Sequence, residues 1–250
     1  MSQLSQTPQQ TLSSLQATTT VVIGGTSGIG LSAAVQAKAA GSRVIVVGSN
    51  ADRARQAAAT HGLDGWRAAD VTKPAELHSA LDDIPQVDHL VLLAGTFVAG
   101  KTLEADLGYL ARAFDERIWA SIHALRALGN RLSSTGSVTF ISGSLADRPN
   151  AYGTAVLAAA SAAMEALARG LALELAPVRV NTLSPGPIDT PILAKALGDA
   201  KDGFVASVEA SLPLHRLGTA EQAGAAVVFL MSNGFMNGAT LNVDGGARLV

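Results

Sequence analysis

The run Gly24-Gly25-Thr26-Ser27-Gly28-Ile29-Gly30 is the stretch of this chain whose residue types and spacing most directly imply chemistry. It follows the apolar β-branched run Thr19–Ile23 and opens into a helical pattern over Leu31–Ala40. A strand that turns sharply into a helix aims the first-turn N–H groups and the positive end of the helix dipole at one point, where a pyrophosphate binds well. In that reading Gly24 serves the tight turn and Gly28 lets the backbone approach the phosphates. Gly30 lets helix pack on strand, while Thr26, Ser27 and Ile29 complete the cradle. The competing reading is a glycine-rich turn with no ligand.

Elements in alternation must position such a cradle. Arg43–Gly48, Asp88–Ala94, Ser137–Ser142, Val178–Leu183 and Ala239–Val243 are short apolar runs of the kind buried in parallel sheets. Helical stretches at Ala51–Thr60, Pro74–Leu81, Leu107–Leu132, Ala155–Ala176 and Ala220–Met231 separate them, with Pro74 suited to a first helical position and Pro177 closing the longest helix. This alternation predicts an α/β fold, a single doubly wound, Rossmann-type domain over residues 19–250. Residues 1–18, rich in Gln, Ser and Thr, read as a mobile tail; they lack the basic start and apolar core of a signal peptide.

Composition narrows the function classes. Hydrophobic residues make up 48% of the chain and charged residues 15%, enough apolar material for a sizeable core. The low charge and Ala-rich helices predict that some faces pack against other subunits. A net charge of −2 without a basic stripe argues against nucleic acid as a partner. The absence of cysteine excludes disulfides and thiol catalysis, and histidines 61, 78, 89, 123 and 215 lack ligand spacing, so no metal site is expected. No apolar run is read as reaching spanning length, so the expectation is a soluble, cytoplasmic protein with no membrane partner. His89, at the start of an apolar strand, reads as structural.

Several landmarks together resemble the short-chain dehydrogenase/reductase family. Thr26-Ser27-Gly28-Ile29-Gly30 resembles its phosphate turn, Asp70-Val71-Thr72 its adenine contact, and Leu93-Ala94-Gly95 the remnant of its Asn-Asn-Ala-Gly motif. Arg179–Gly186, continued by Pro187-Ile188-Asp189-Thr190-Pro191, is similar to the strand and turn that meet the nicotinamide. Asn242–Gly246 is similar to the last strand and turn. The resemblance implies a seven-stranded sheet, a homotetramer or homodimer, and a small-molecule substrate. It also implies cofactor contacts from Asp70, Val71, Ala94, Gly95, Pro185, Gly186, Ile188 and Thr190, and a substrate lid around residues 193–214.

The family's chemistry rests on Asn, Ser and a Tyr-x-x-x-Lys pair. In that pair the ammonium shares a helix face with the phenol and lowers its pKa, so that it serves as general acid or base. Counting back from Glu174-Leu175-Ala176-Pro177 puts Leu157 at the Tyr position and Ser161 at the Lys position, and no lysine occurs between Lys101 and Lys195. The Asn position falls on Ser121. Ser144 falls at the Ser position, with Ser142 or Gly143 as one-residue alternatives; an ordinary strand-end hydroxyl is its competing reading. This chain is therefore read as an atypical member lacking the pair.

At the end of the second strand, Gly48 stands where an NAD-preferring member carries a carboxylate, so nothing there repels a 2′-phosphate. Ser49, Asn50 and Ser27 offer donors and Arg53 lies in the next helix, which favours NADP(H) over NAD(H). Two functions follow: a divergent NADP(H)-dependent oxidoreductase using Ser144, Tyr152, Arg148 or water in place of the missing phenol, or a degenerate NADP(H)-binding sensor or scaffold subunit.

Overall fold

The β-branched runs become the strands of the sheet. In the computed structural model, which describes residues 15–250, they are β1 (Thr19–Ile23), β2 (Arg43–Gly48), β3 (Gly65–Ala68), β4 (Val87–Leu92), β5 (Leu132–Ile141) and β6 (Arg179–Pro185). Two short strands follow, β7 (Ile188–Asp189) and β8 (Gly218–Thr219), and then β9 (Thr240–Val243). Seven strands form one parallel sheet in the order β3-β2-β1-β4-β5-β6-β9, and β7 pairs separately with β8. β1 is hydrogen-bonded to both β2 and β4, with Val21 opposite Ile45 on one side and Leu90 on the other.

Alternate residues of each strand enter opposite layers. On one face Val21, Ile23, Leu90, Val138 and Phe140 meet α3 (Pro74–Leu81), α5 (Ala120–Leu128) and α6 (Ala155–Glu174). On the other, Val22, Val44, Val46, Val91 and Leu183 meet α1 (Gly28–Ala39), α2 (Ala51–His61) and α9 (Ala220–Ser232). Small buried residues of α1 (Ala33, Ala34, Ala37) let that helix seat closely on the strands. This is the expected doubly wound α/β domain. Strand order reverses between β1 and β4, which opens the crevice where such sheets place ligands.

Four expectations are corrected. β3 was missed because Gly65-Trp66-Arg67-Ala68 is an edge strand with no continuous apolar run. The single helix expected over 107–132 is broken into α4 (Leu107–Phe114), a π-helical turn (Asp115–Trp119), α5 and a short 3-10 turn (Gly129–Arg131), and Leu132 already belongs to β5. The mobile tail does not extend to Thr18: Leu15 is buried in the core, and Thr18 Oγ1 donates to Leu15 O at 2.6 Å. The remainder of that expectation, residues 1–14, lies outside the described residues. Finally, α6 is by length and composition apolar enough to cross a membrane, although Leu157, Ser161, Met164 and Ala168 on it are buried within the fold.

Candidate functional site

Parallel strands carry the sequence-predicted site residues to one edge, because each candidate segment follows the carboxyl end of a strand. The turn Gly24–Ser27 follows β1, Ser49 and Asn50 follow β2, Asp70 and Val71 follow β3, and Ala94 and Gly95 follow β4. Ser144 lies three residues after β5, Pro185 ends β6, and Gly186, Ile188 and Thr190 continue from it.

The turn after β1 is built as its glycines suggest. Gly24 has φ +86° and its N–H donates to Val47 O at 2.8 Å. A Cβ at Gly24 would stand 2.6 Å from Ala94 N, and one at Gly30 would stand 2.1 Å from Gly24 O. Close backbone approach thus requires glycine at both places. Gly28 has φ +52° and faces the methyl of Thr190. Ser27 is the N-cap of α1, yet its side chain makes no capping hydrogen bond, and no acidic residue stands in the first turn. The positive end of the helix is left without a protein anion. That is the arrangement a diphosphate fits.

Gly48 has a structural reason of its own. A Cβ there would stand 2.5 Å from Thr26 Cγ2, so the Thr26 side chain fills the space beside it. Ser49 and Asn50 are exposed at the strand end. Asn50 Oδ1 accepts from Arg53 N at 2.8 Å and caps α2, leaving its amide N–H₂ as a donor. Arg53 is exposed. Asp70 Oδ1 accepts from both Thr72 N and Thr72 Oγ1, at 3.0 and 2.8 Å, and these bonds hold its carboxyl below the ordinary value. Asp70 therefore also serves as the aspartate of its own turn.

At the other end of the crevice, Ser142 N donates to Leu183 O at 2.8 Å, which keeps the ends of β5 and β6 side by side. Ser142 is buried, and its hydroxyl is shared between Ser161 O at 3.1 Å and Glu165 Oε1 at 2.7 Å. Ser144 opens a short 3-10 turn and is half-buried. A Cβ at Gly186 would stand 2.6 Å from Asp244 Cα, so glycine there admits the chain after β9. The Ile188 side chain is buried in the core beside α1 and α9, its backbone pairs with Gly218 of β8, and its carbonyl accepts from Thr190 Oγ1 at 3.5 Å. Thr190 Oγ1 accepts from Leu193 N at 3.4 Å and caps α7 (Pro191–Leu197). The segment expected as a lid folds into α7 and α8 (Lys201–Ser211), joined at Gly198 with φ +51°.

Leu157 and Ser161 are both buried on α6. Tyr152 is 83% exposed, and the entrance of α6 is held by Asn150 and Thr154 at 3.0 Å, not by the aromatic ring. The two tyrosines, Tyr109 and Tyr152, have Ala113 and Val156 four residues on. His89 is structural, as expected: its Nδ1 lies 2.8 Å from Ser137 Oγ, and burial, helped by Arg179, pushes it down to about 4. Among the described residues no group of three or more His, Cys, Asp or Glu is placed to hold a metal.

One cluster escaped the sequence reading. Glu116 and Arg117, adjacent in the π-turn, grip Thr96 just beyond Gly95. Glu116 Oε2 accepts from Thr96 N at 2.6 Å and Thr96 Oγ1 at 2.8 Å, while Arg117 Nη2 donates to Thr96 O at 2.9 Å. A Cβ at Gly95 would stand 3.0 Å from Arg117 Cζ, so the room left by this glycine is occupied by a guanidinium. The available signal was the charged run Asp115-Glu116-Arg117 inside the helical stretch expected over 107–132.

Comparison with known proteins agrees with this architecture. Residues 24–248 match the family model described as Enoyl-(Acyl carrier protein) reductase. A protein of Stachybotrys chlorohalonatus (strain IBT 40285), short-chain dehydrogenase/reductase ATR9, is 33% identical over 92% of this chain and 96% of its own length. A solved short chain dehydrogenase/reductase family protein superposes with a TM-score of 0.85 at 35% identity, covering 95% of this chain and 100% of the other. A small-chain dehydrogenase solved in complex with NADPH gives a TM-score of 0.80 at 33% identity, covering 93% and 99%. The chain belongs to the short-chain dehydrogenase/reductase family, whose members are nicotinamide-dependent oxidoreductases.

Proposed function

We propose that this chain is an NADP(H)-dependent oxidoreductase with a divergent active site, acting on a small carbonyl, alcohol or related substrate. The observation that carries the reading is the uncapped, acid-free start of α1 beside the glycines of the β1 turn. Gly24, Thr26, Ser27, Gly28, Ile29 and Gly30 would hold the diphosphate, with Ser49 and Asn50 at the 2′-phosphate. Asp70, Val71, Ala94 and Gly95 would line the adenosine side; Pro185, Gly186, Ile188 and Thr190 would line the nicotinamide side. Gly48 favours NADP(H) by placing no carboxylate there, and a relative at 33% identity was solved with NADPH. When bound, the cofactor supplies or accepts a hydride.

The chain lacks the family's Tyr-x-x-x-Lys pair: Leu157 and Ser161 stand at its positions. Ser144 is the strand-end hydroxyl left to orient a substrate oxygen, since the Ser142 hydroxyl is bound to Glu165 and Ser161. The buried, apolar character of Leu157 also favours a second reading, a degenerate NADP(H)-binding sensor or scaffold subunit. Exposed Leu103, Leu107 and Trp119 support a homotetramer or homodimer. The half-buried Leu193, Phe204 and Val205 support a lid over an apolar substrate. We place the protein in the cytoplasm. Following NADPH absorbance with aldehydes, ketones and imines separates the readings: consumption supports the oxidoreductase, and binding without consumption supports the sensor or scaffold.

A further inference from the structure

Arg117 is a charged group at the cofactor edge to which the site described above gives no role. With Val71, Ala94 and Ser121 it lines a small cavity under the carboxyl ends of β1, β4 and β5, closed by Ile23 and Met164. Its Nη2 and Nη1 reach only carbonyls, Thr96 O at 2.9 Å and Ala113 O at 3.4 Å, and its Nε is buried with no hydrogen-bond partner.

Glu116, which lines the same cavity, offsets this charge only in part. The neighbouring carboxylate, Glu116, receives Arg112 through Nη2 at 2.6 Å and Nε at 2.8 Å, so two guanidiniums share one carboxylate. A cation withdrawn from water, with carbonyl dipoles and one shared carboxylate around it, gains from a further anion brought near. The geometry says which anion that is. Arg117 lies against Gly95, next in the chain to Ala94, and a Cβ at Gly24 would stand 2.6 Å from Ala94 N. The guanidinium thus lies under the strand end that abuts the diphosphate turn.

We propose that Arg117 supplies the fixed positive charge of this cleft, attracting the anionic dinucleotide from beneath β4, in a chain whose α6 carries no lysine. The assignment rests on the dinucleotide reading of the site. Arg117 is a positioning residue as well, since the same side chain pins Thr96.

Charge and pinning are separable by equilibrium titration of the full chain with NADPH, alongside the melting temperature of the ligand-free protein. Arg117→Gln is expected to weaken NADPH about tenfold. Arg117→Lys, which keeps the charge but not the planar fork, is expected to stay within about threefold of the parent. Arg117→Met, which keeps the aliphatic stem in the cavity, is the second neutral variant should Arg117→Gln not fold. A lysine variant as weak as the neutral ones, or neutral variants with unchanged affinity, overturns the assignment while leaving the site intact. A parent protein that binds no dinucleotide overturns the site reading itself.

Discussion

Ser142 donates its hydroxyl to Glu165 Oε1 at 2.7 Å across the interface of β5 and α6, beside the carbonyl of Ser161. That pair ties the end of β5 to the middle of α6.

Removing the Ser142 hydroxyl leaves a half-buried carboxylate oxygen without that donor. Ser142→Ala is expected to destabilise the protein by about 1–3 kcal/mol. Glu165→Gln, which still accepts through its amide oxygen, is expected to cost less. Denaturant midpoints of the two variants check the order, and a larger loss from Glu165→Gln would contradict it.

His89 makes stability pH-dependent. Burial holds its folded pKa at about 4, below the ordinary 6.5, so between these values the unfolded chain takes up a proton that the folded chain refuses. Stability from this group is present above pH 6.5 and is lost as pH falls toward 4, on the order of 3 kcal/mol in all. His89→Gln is expected to flatten the difference in unfolding free energy between pH 7 and pH 5 by about 2 kcal/mol. Urea titrations at the two pH values read it directly; an unchanged difference would refute the role.

Gly30 admits no side chain, because the atom 2.1 Å from its added Cβ is backbone, Gly24 O. Gly30→Ala is expected to cost about 1–3 kcal/mol by overpacking, and to abolish dinucleotide binding by pushing α1 off the turn. A thermal melt with and without NADPH tests both halves. An alanine variant still shifted upward by NADPH as the parent is would count against the cradle.

Restoring the relay is the corresponding gain-of-function test. Leu157→Tyr with Ser161→Lys places a phenol and an ammonium on one face of α6, and is expected to raise NADPH-dependent carbonyl reduction by about 10²-fold or more. Rates over the same substrate panel decide it. No gain in a folded, cofactor-binding variant would mean that something other than the proton relay limits turnover.

The legible parts of this molecule were those fixed by local backbone chemistry. β1 and β2 lie at the residues where the apolar runs placed them, and α3 begins at Pro74 as expected. The glycine turn was readable because positive φ and close backbone approach leave few residues to choose from. β3 was invisible because an edge strand needs no apolar run. The Arg112–Glu116–Arg117 cluster was hidden for another reason. The π-turn at Asp115–Trp119 departs from the 3.6-residue period, so a helical projection cannot tell that Glu116 turns inward while Arg112, four residues earlier, stays half-exposed. Nor could the chain alone show that Thr26 fills the space beside Gly48, a contact between two strand ends.

The central claim, that a dinucleotide's diphosphate docks on the start of α1, is tested most directly by calorimetric titration of the purified protein with NADPH and NADH. Saturable binding with NADPH the tighter ligand is the expected result. Silence with both would contradict the docking itself, and tighter NADH would contradict the reading of Gly48.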